Sequence, residues 1–382
     1  MVVVGAGPAG IHAAFLLAQA GLDVVLCEAQ SRIGERAICS GVVGDEAFAR
    51  FDLPKHPILA DVRCIQAISP GGRTLEHCTD APLAQVIDKG EFNRALAERA
   101  IAAGVDVQLG CWVNSLAVEK HSVTVNSQSA EAGPARLRAQ VAIITTGVNG
   151  SLSRALGLAR PRQFLRALQT ELTLPPNGHG TATRVYVGQD VAPGAFAWDI
   201  PLGNGKRRVG LMTEQNPEPC FTKLLQRIAP HTDLATLRID RKRIAQAPVG
   251  RAVAERVVAA GEAAGHIKTT TGGGIYYGLL SAELVADVVT RAFRTSSFSS
   301  RTLGEFERYW RSAFGNELMV GYFARKLAGH FTDSQIDSLF EVIRATDLLV
   351  RLNGRLKFDW HHRALLATLR ALLTLPGGVG TS

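Results

Sequence analysis

The chain opens with "MVVVGAGPAGIHAAFLLAQAGLDVVLCE", and no other stretch limits the fold as much. The β-branched run at residues 2–4 feeds Gly5-x-Gly7-x-x-Gly10. An apolar helical pattern follows to about Ala20. A second strand, residues 23–27, ends on Glu28. Each part has a physical task. Gly5 permits a tight turn, Gly7 lets a pyrophosphate approach bare backbone, and Gly10 lets helix and strand pack closely. The helix start supplies free N–H groups and a positive dipole end. Glu28 is placed to accept from a ribose hydroxyl. The glycine pattern alone carries little. In the order strand, turn, helix, strand, acid it predicts a Rossmann-like α/β fold that binds a dinucleotide.

The remaining chain is long enough for more. At 382 residues it has room for two domains or one large two-lobed enzyme. Lys+Arg is 42 and Asp+Glu is 34, so 42 − 34 = +8. The basic residues are scattered except at 238–243, "RIDRKR", and no nucleic-acid motif accompanies them, so no nucleic-acid partner is expected. The six cysteines, Cys27, Cys39, Cys64, Cys78, Cys111 and Cys220, form no C-x-x-C pair. They read as small buried hydrophobes in a reduced, cytoplasmic setting, with Cys39 set apart by its loop. No signal peptide and no apolar run of membrane-spanning length is seen.

Periodicity organises the middle of the chain. Residues 31–52 form a Gly-rich loop and a short helix, and 57–87 alternate like strands. Residues 88–104 are helical, with Phe92, Leu96 and Ala100 on one face. A β-meander precedes an apolar strand, 139–147, that ends at Gly147. Residues 160–250 read as an antiparallel sheet interrupted by a helix near 221–228. A strand at 257–265 is followed by helices at 274–294, 303–328, 332–348 and 360–374. The predicted dinucleotide domain is therefore discontinuous, at 1–60, 88–158 and 250–298. An antiparallel-sheet substrate domain at 61–87 and 159–249 is inserted into it, and a helical C-terminal region spans 299–382.

Four motifs make the chain similar to the geranylgeranyl reductase family of the flavoprotein monooxygenase-like superfamily. They are the fingerprint from Gly5 to Glu28, "CSG" at 39–41, "PGAFAWDIP" at 193–201, and "GEAAGHIKTTTGGGI" at 261–275. The resemblance runs from Val2 to about Lys326. It implies an FAD-binding domain of the glutathione-reductase/hydroxylase type and reduction of isolated C=C bonds in isoprenoid chains. Carried over position by position, it implies that Gly5, Gly7, Ala9, Gly10 and Glu28 bind FAD, with Cys39, Ser40, Gly41 and Val42 passing over the flavin. Lys89 stands where the family has Arg for the FAD phosphates, and Val113 where backbone meets adenine. Gly147, Gly261 and Glu262 belong to the same cofactor set, with Glu262 reaching the ribityl hydroxyls. Gly272, Gly273, Gly274 and Ile275 would let the flavin edge lie on bare backbone at a helix start, which suits the negative charge of reduced flavin. The departures are Glu262 for Asp, Thr269 for Pro, Lys89 for Arg, which loses bidentate phosphate geometry, and Phe196 for Tyr.

The chemistry implied is hydride transfer plus a proton, in a site that excludes water. Phe196, Trp198 and Ile200 share one strand face and, with Tyr276, are expected to line a tunnel for a hydrophobic isoprenoid or lipid. Cys39 and His266 are the expected catalytic candidates. Nothing resembles a second nucleotide-binding domain, so reducing equivalents are expected from an external donor, NAD(P)H or a ferredoxin. The amphipathic stretch 361–376 suits either a cap on the domain or peripheral contact with the inner face of the cell membrane. Two alternatives remain. "FAWDIP" is close to the W-x-W-x-I-P of flavin-dependent halogenases, which points to a halogenase or monooxygenase of an aromatic substrate. The other is an FAD-binding protein without catalysis.

Overall fold

The structure is a computed structural model that describes residues 1–35, 37–129, 133–174, 180–347 and 357–366. Val2–Val4 is buried at every residue, as a strand covered on both faces of a parallel sheet must be. It lies between Ala142–Ile144 and Val25–Cys27, parallel to both. Val257–Ala259 and Asp106–Gln108 extend the sheet outward, and the antiparallel pair partner Val253–Ala254 closes one edge of the six strands. The helix Pro8–Gln19 packs against both Lys89–Ala102 and the long helix Ile275–Arg294. Cys111–Val118, Val123–Ser129 and Gly133–Ala139 form the meander as a separate three-stranded sheet.

The large sheet has seven strands. Their order is Asp240–Ala245, Phe164–Thr173, Lys206–Thr213, Phe196–Gly203, Thr183–Val187, Cys64–Ile68 and Thr74–Cys78. It is antiparallel except where Thr183–Val187 runs parallel to Cys64–Ile68. That pair is joined by no turn, so loop geometry does not set its direction. Of the stretch 61–87, only the hairpin 64–78 joins this sheet. Ala84–Ile87 instead pairs with Val42–Gly44 and Ile58–Val62 in a small sheet beside it.

Three expectations are corrected here. Cys64 and Cys78 face each other across the hairpin and are joined as a disulfide, so they are not reduced thiols. Directly opposed residues bring their Cβ atoms within bonding reach. The strand expected over 257–265 stops at Ala259, because Gly261 and Gly265 take positive φ (62° and 70°) and bend the chain into a short 3-10 turn. The helix expected over 303–328 is broken into Ser300–Leu303, Glu305–Trp310, a π turn at Arg311–Gly315 and Asn316–Ala328. The π turn keeps Trp310 and Phe314 pointed at the buried His266 ring. The helix at the end of the chain is described over 362–366, and the rest of the amphipathic stretch lies outside the described residues.

Close approach explains Gly10. A Cβ there would stand 2.0 Å from the Gly5 carbonyl oxygen and 2.5 Å from Thr145 Oγ1. Thr145 Oγ1 is itself held at 2.9 Å from the Val4 and Gly5 carbonyls, so neither neighbour can yield. Gly10→Ala should cost about 1–3 kcal/mol by urea unfolding, as expected for overpacking.

Candidate functional site

The C-terminal ends of the parallel strands open into a cavity of about 490 Å³. Gly5, Gly7 and Ala9 line it from the first turn, Glu28 from the second strand, and Gly147 from the fourth. Lys89 and Val113 close its sides. The helix Pro8–Gln19 has no side-chain cap and no acid in its first turn, so its leading N–H groups remain available to an anion. A Cβ on Gly7 would meet nothing within 4 Å, leaving the backbone there open for a ligand. Glu28 accepts from the Ala6 N–H at 2.7 Å and the Gln30 N–H at 2.9 Å, which fixes its carboxylate at the strand end. These features fit the diphosphate and ribose of FAD.

Lys89 is half-buried beside Asn93, whose Oδ1 accepts from its Nζ. Burial and the nearby Lys242 pull its pKa down to about 7, against the opposing pull of Cys39 and Asp88. An arriving phosphate would favour its charged form. Gly10 and Gly261 do not line the cavity. Gly10 serves packing, and a Cβ on Gly261 would strike that of Ala9 at 2.7 Å.

A second cavity, about 400 Å³, is bordered by the large sheet. Phe196, Trp198 and Ile200 line it together, with Met212 and Ile244 from neighbouring strands and Tyr276 from the long helix. Trp198 has room because Gly210 opposes it, where any Cβ would lie 2.4 Å from the indole. Cys39, Lys242, Gly272, Gly274 and Ile275 line both cavities. Ser40, Val42 and Gly273 line the second one alone. The turn at Gly272 needs a φ of +74°. Lys268 holds it at both ends, accepting from the Gly272 N–H at 2.7 Å and donating to the Gly273 carbonyl at 2.8 Å. Glycine there keeps both the left-handed backbone and a bare surface. Helix Ile275–Arg294 then starts uncapped and without an acid in its first turn.

Sequence reasoning missed Lys242, which it read as part of a basic surface run. Asp240, Lys242 and Ile244 alternate onto the cavity face of their strand. Burial alone would lower the pKa of Lys242, but Glu262, 3.6 Å away, outweighs it and holds the amine above its ordinary value. It also missed a strap, residues 357–362. Phe358, Asp359 and His361 line the apolar cavity. Lys268 Nζ donates to the Phe358 carbonyl at 2.6 Å and to Asp359 Oδ1 at 2.8 Å, both side chains being about 5% exposed or less. Glu317 accepts from the N–H groups of His361 and His362 at 2.7 and 2.9 Å. Trp360 Nε1 donates to Tyr276 Oη at 3.1 Å.

His266 is not brought to either cavity. It is fully buried among Phe306, Trp310 and Phe314, with Nδ1 2.9 Å from Ser281 Oγ. Burial and the Arg311 charge hold its pKa at about 3. Of the two catalytic candidates, Cys39 alone stands at the junction.

Residues 1–160 match the family described as FAD dependent oxidoreductase. Over 360 residues the chain is 27% identical to digeranylgeranylglycerophospholipid reductase 1 of Methanococcoides burtonii, covering 91% of this chain and 88% of the relative. A geranylgeranyl bacteriochlorophyll reductase-like structure from Thermoplasma acidophilum superposes with a TM-score of 0.82 at 21% identity, covering 90% of each chain. A flavin-dependent brominase superposes less closely, with a TM-score of 0.70 at 16% identity and 97% of each chain covered. The motif resemblance and the FAD-binding α/β fold, with its antiparallel sheets and helical C-terminal region, are borne out.

Two outcomes follow from the buried charges. Lys268→Met leaves Asp359 buried without its partner and should cost about 3–5 kcal/mol in urea unfolding, with Lys268→Met/Asp359→Leu recovering much of the loss. His12, His266 and His361 have folded pKa values of about 4, 3 and 3, all set first by burial. The unfolded chain binds these protons below about 6.5 while the fold refuses them, so stability should fall as pH drops from 6.5 toward 4. Each histidine contributes up to about 1.4 kcal/mol per pH unit, and His266→Gln should flatten the measured slope by one such share.

Proposed function

We propose that this chain, an FAD-dependent oxidoreductase by the comparisons above, reduces isolated C=C bonds in the isoprenoid chains of a lipid of the digeranylgeranylglycerophospholipid kind. The observation that carries the reading is the shared wall. Cys39, Gly272, Gly274 and Ile275 separate a cavity fitted to a dinucleotide from one built of apolar side chains. An isoprenoid enters the second cavity with its apolar surface removed from water, worth about 0.8 kcal/mol per buried CH₂. When bound and reduced by two electrons from an external donor, the flavin would supply a hydride to one carbon of the double bond and return to FAD. Lys89 and the leading N–H groups of helix Pro8–Gln19 would hold the diphosphate, and Glu28 would hold a ribose hydroxyl. Glu262, paired with Lys242 in the cavity wall, would face the ribityl chain. The open start of helix Ile275–Arg294 offers N–H groups to negative charge at the reducible end of the cofactor. Phe196, Trp198, Ile200 and Tyr276 orient the alkene, and the Cys39 thiol delivers the proton to its second carbon. His266 supports the turn from within the core.

Electrons come from an external donor, a nicotinamide nucleotide or a ferredoxin. No described helix is long and apolar enough to cross a membrane. A lipid substrate is then met by peripheral contact at the inner face of the cell membrane.

The test is anaerobic. Dithionite-reduced holoprotein is mixed with a geranylgeranylated glycerophospholipid, and flavin absorbance and product mass are followed. Reoxidation without oxygen, with a gain of two mass units per reduced bond, is expected. Cys39→Ala should keep FAD and slow this reoxidation by about 10²-fold, the usual share of a positioned proton donor. A flavin that stays reduced until oxygen is admitted would sink the reading. Halide or hydroxyl transfer to an arene would then place the chain with the halogenase-like enzymes.

A further inference from the structure

Three carbonyls in succession hold the loop that carries Cys39. Gln169 Nε2 donates to the Cys39 carbonyl at 3.0 Å, Arg208 Nη1 to the Ser40 carbonyl at 2.7 Å, and the Ile87 N–H to the Gly41 carbonyl at 2.9 Å. Arg208 is itself anchored, with Nε and Nη2 donating to Glu171 Oε1 at 3.1 and 2.7 Å. A Cβ on Gly41 would lie 2.5 Å from Arg208 Nη1, so the loop sits directly on the guanidinium. Gln169 and Arg208 are both buried.

These donors occupy a particular place on the large sheet. Along Phe164–Thr173 the cavity face reads Leu165, Ala167, Gln169, Glu171. The facing strands follow in register: Ala167 opposes Met212, Gln169 opposes Gly210 and Glu171 opposes Arg208. On the other side Leu165 opposes Ile244, and Gln169 opposes Asp240. One half of the face is apolar and borders the apolar cavity. The other half, with Glu171 and Arg208, borders a polar cavity of about 390 Å³ behind the loop. Gln169 lies on the boundary and Cys39 lines all three cavities.

We propose that Gln169 and Arg208 are positioning residues: they fix the backbone of residues 39–41 so that the Cys39 thiol stands between cofactor and alkene, and they seal the apolar cavity from the polar one. The inference rests on the reductase reading for its catalytic meaning, but not for its geometry. It assigns to the substrate sheet a direct hold on the loop that passes the cofactor.

The test uses FAD-loaded protein and two variants, Gln169→Leu, close in volume, and Arg208→Lys, which keeps the charge and loses the forked contact. Maleimide modification is followed by mass spectrometry at Cys39 and, as an internal reference, at the half-buried Cys220. Loss of one hydrogen bond at the loop should raise the Cys39 rate about five-fold while Cys220 stays unchanged. With the geranylgeranylated lipid, kcat should fall and KM should hold, since the apolar half of the face is untouched. Cys39 rates equal to the parent in both variants would overturn the proposal. So would equal rises at both cysteines, which mark general loosening. If the parent turned over no isoprenoid, the reductase reading would fail while the labelling ratio still judged the clamp.

Discussion

The methyl group of Ala9 sits against two glycines that have no side chain to keep it away. Added Cβ atoms on Gly261 and Gly278 would lie 2.7 and 3.4 Å from its methyl group. That contact lets the start of helix Pro8–Gln19 approach both the turn after Val257–Ala259 and the long helix Ile275–Arg294. Two uncapped helix starts consequently border one cavity. The diphosphate end of a dinucleotide suits the first and its electron-accepting end the second. Everything else is arranged around that convergence: the sheet supplies its floor, the loop of Cys39 its cover, and the apolar cavity begins where its far wall ends.

The strap and the large sheet meet this centre from the other side. Lys268 belongs to the glycine turn through its backbone and to the strap through its side chain. A buried ion pair is weak evidence of stability by itself. Here it has a geometric result, since it fastens Phe358 and Asp359 against the turn and so shapes the apolar cavity.

What could be read in the sequence had local causes. The glycine fingerprint, Glu28 and the turn at Gly272–Gly274 declare themselves because each depends on a backbone need that one residue type satisfies. Phe196, Trp198 and Ile200 were legible because alternation puts them on one face wherever the strand pairs. Lys242 obeys the same alternation, yet its neighbours in "RIDRKR" disguise it as surface. Its partner Glu262 is brought to it only by tertiary folding. The parallel pairing of Thr183–Val187 with Cys64–Ile68, the disulfide across the hairpin and the π turn at Arg311–Gly315 likewise depend on contacts between distant segments. His266 follows the strand expected to lead to the cofactor and was drawn toward it for that reason, whereas its aromatic cage is assembled from helix residues further on.

The strap has a consequence for the order in which the molecule is assembled during synthesis. Asp359 lies 91 positions downstream of the lysine it binds. Every element around the dinucleotide cavity has emerged by the time Ile275–Arg294 is made, whereas the apolar cavity lacks a wall until the strap arrives. A growing chain thus has the means to take up its cofactor before its apolar cavity is closed, and the oily surface is the last to be walled in.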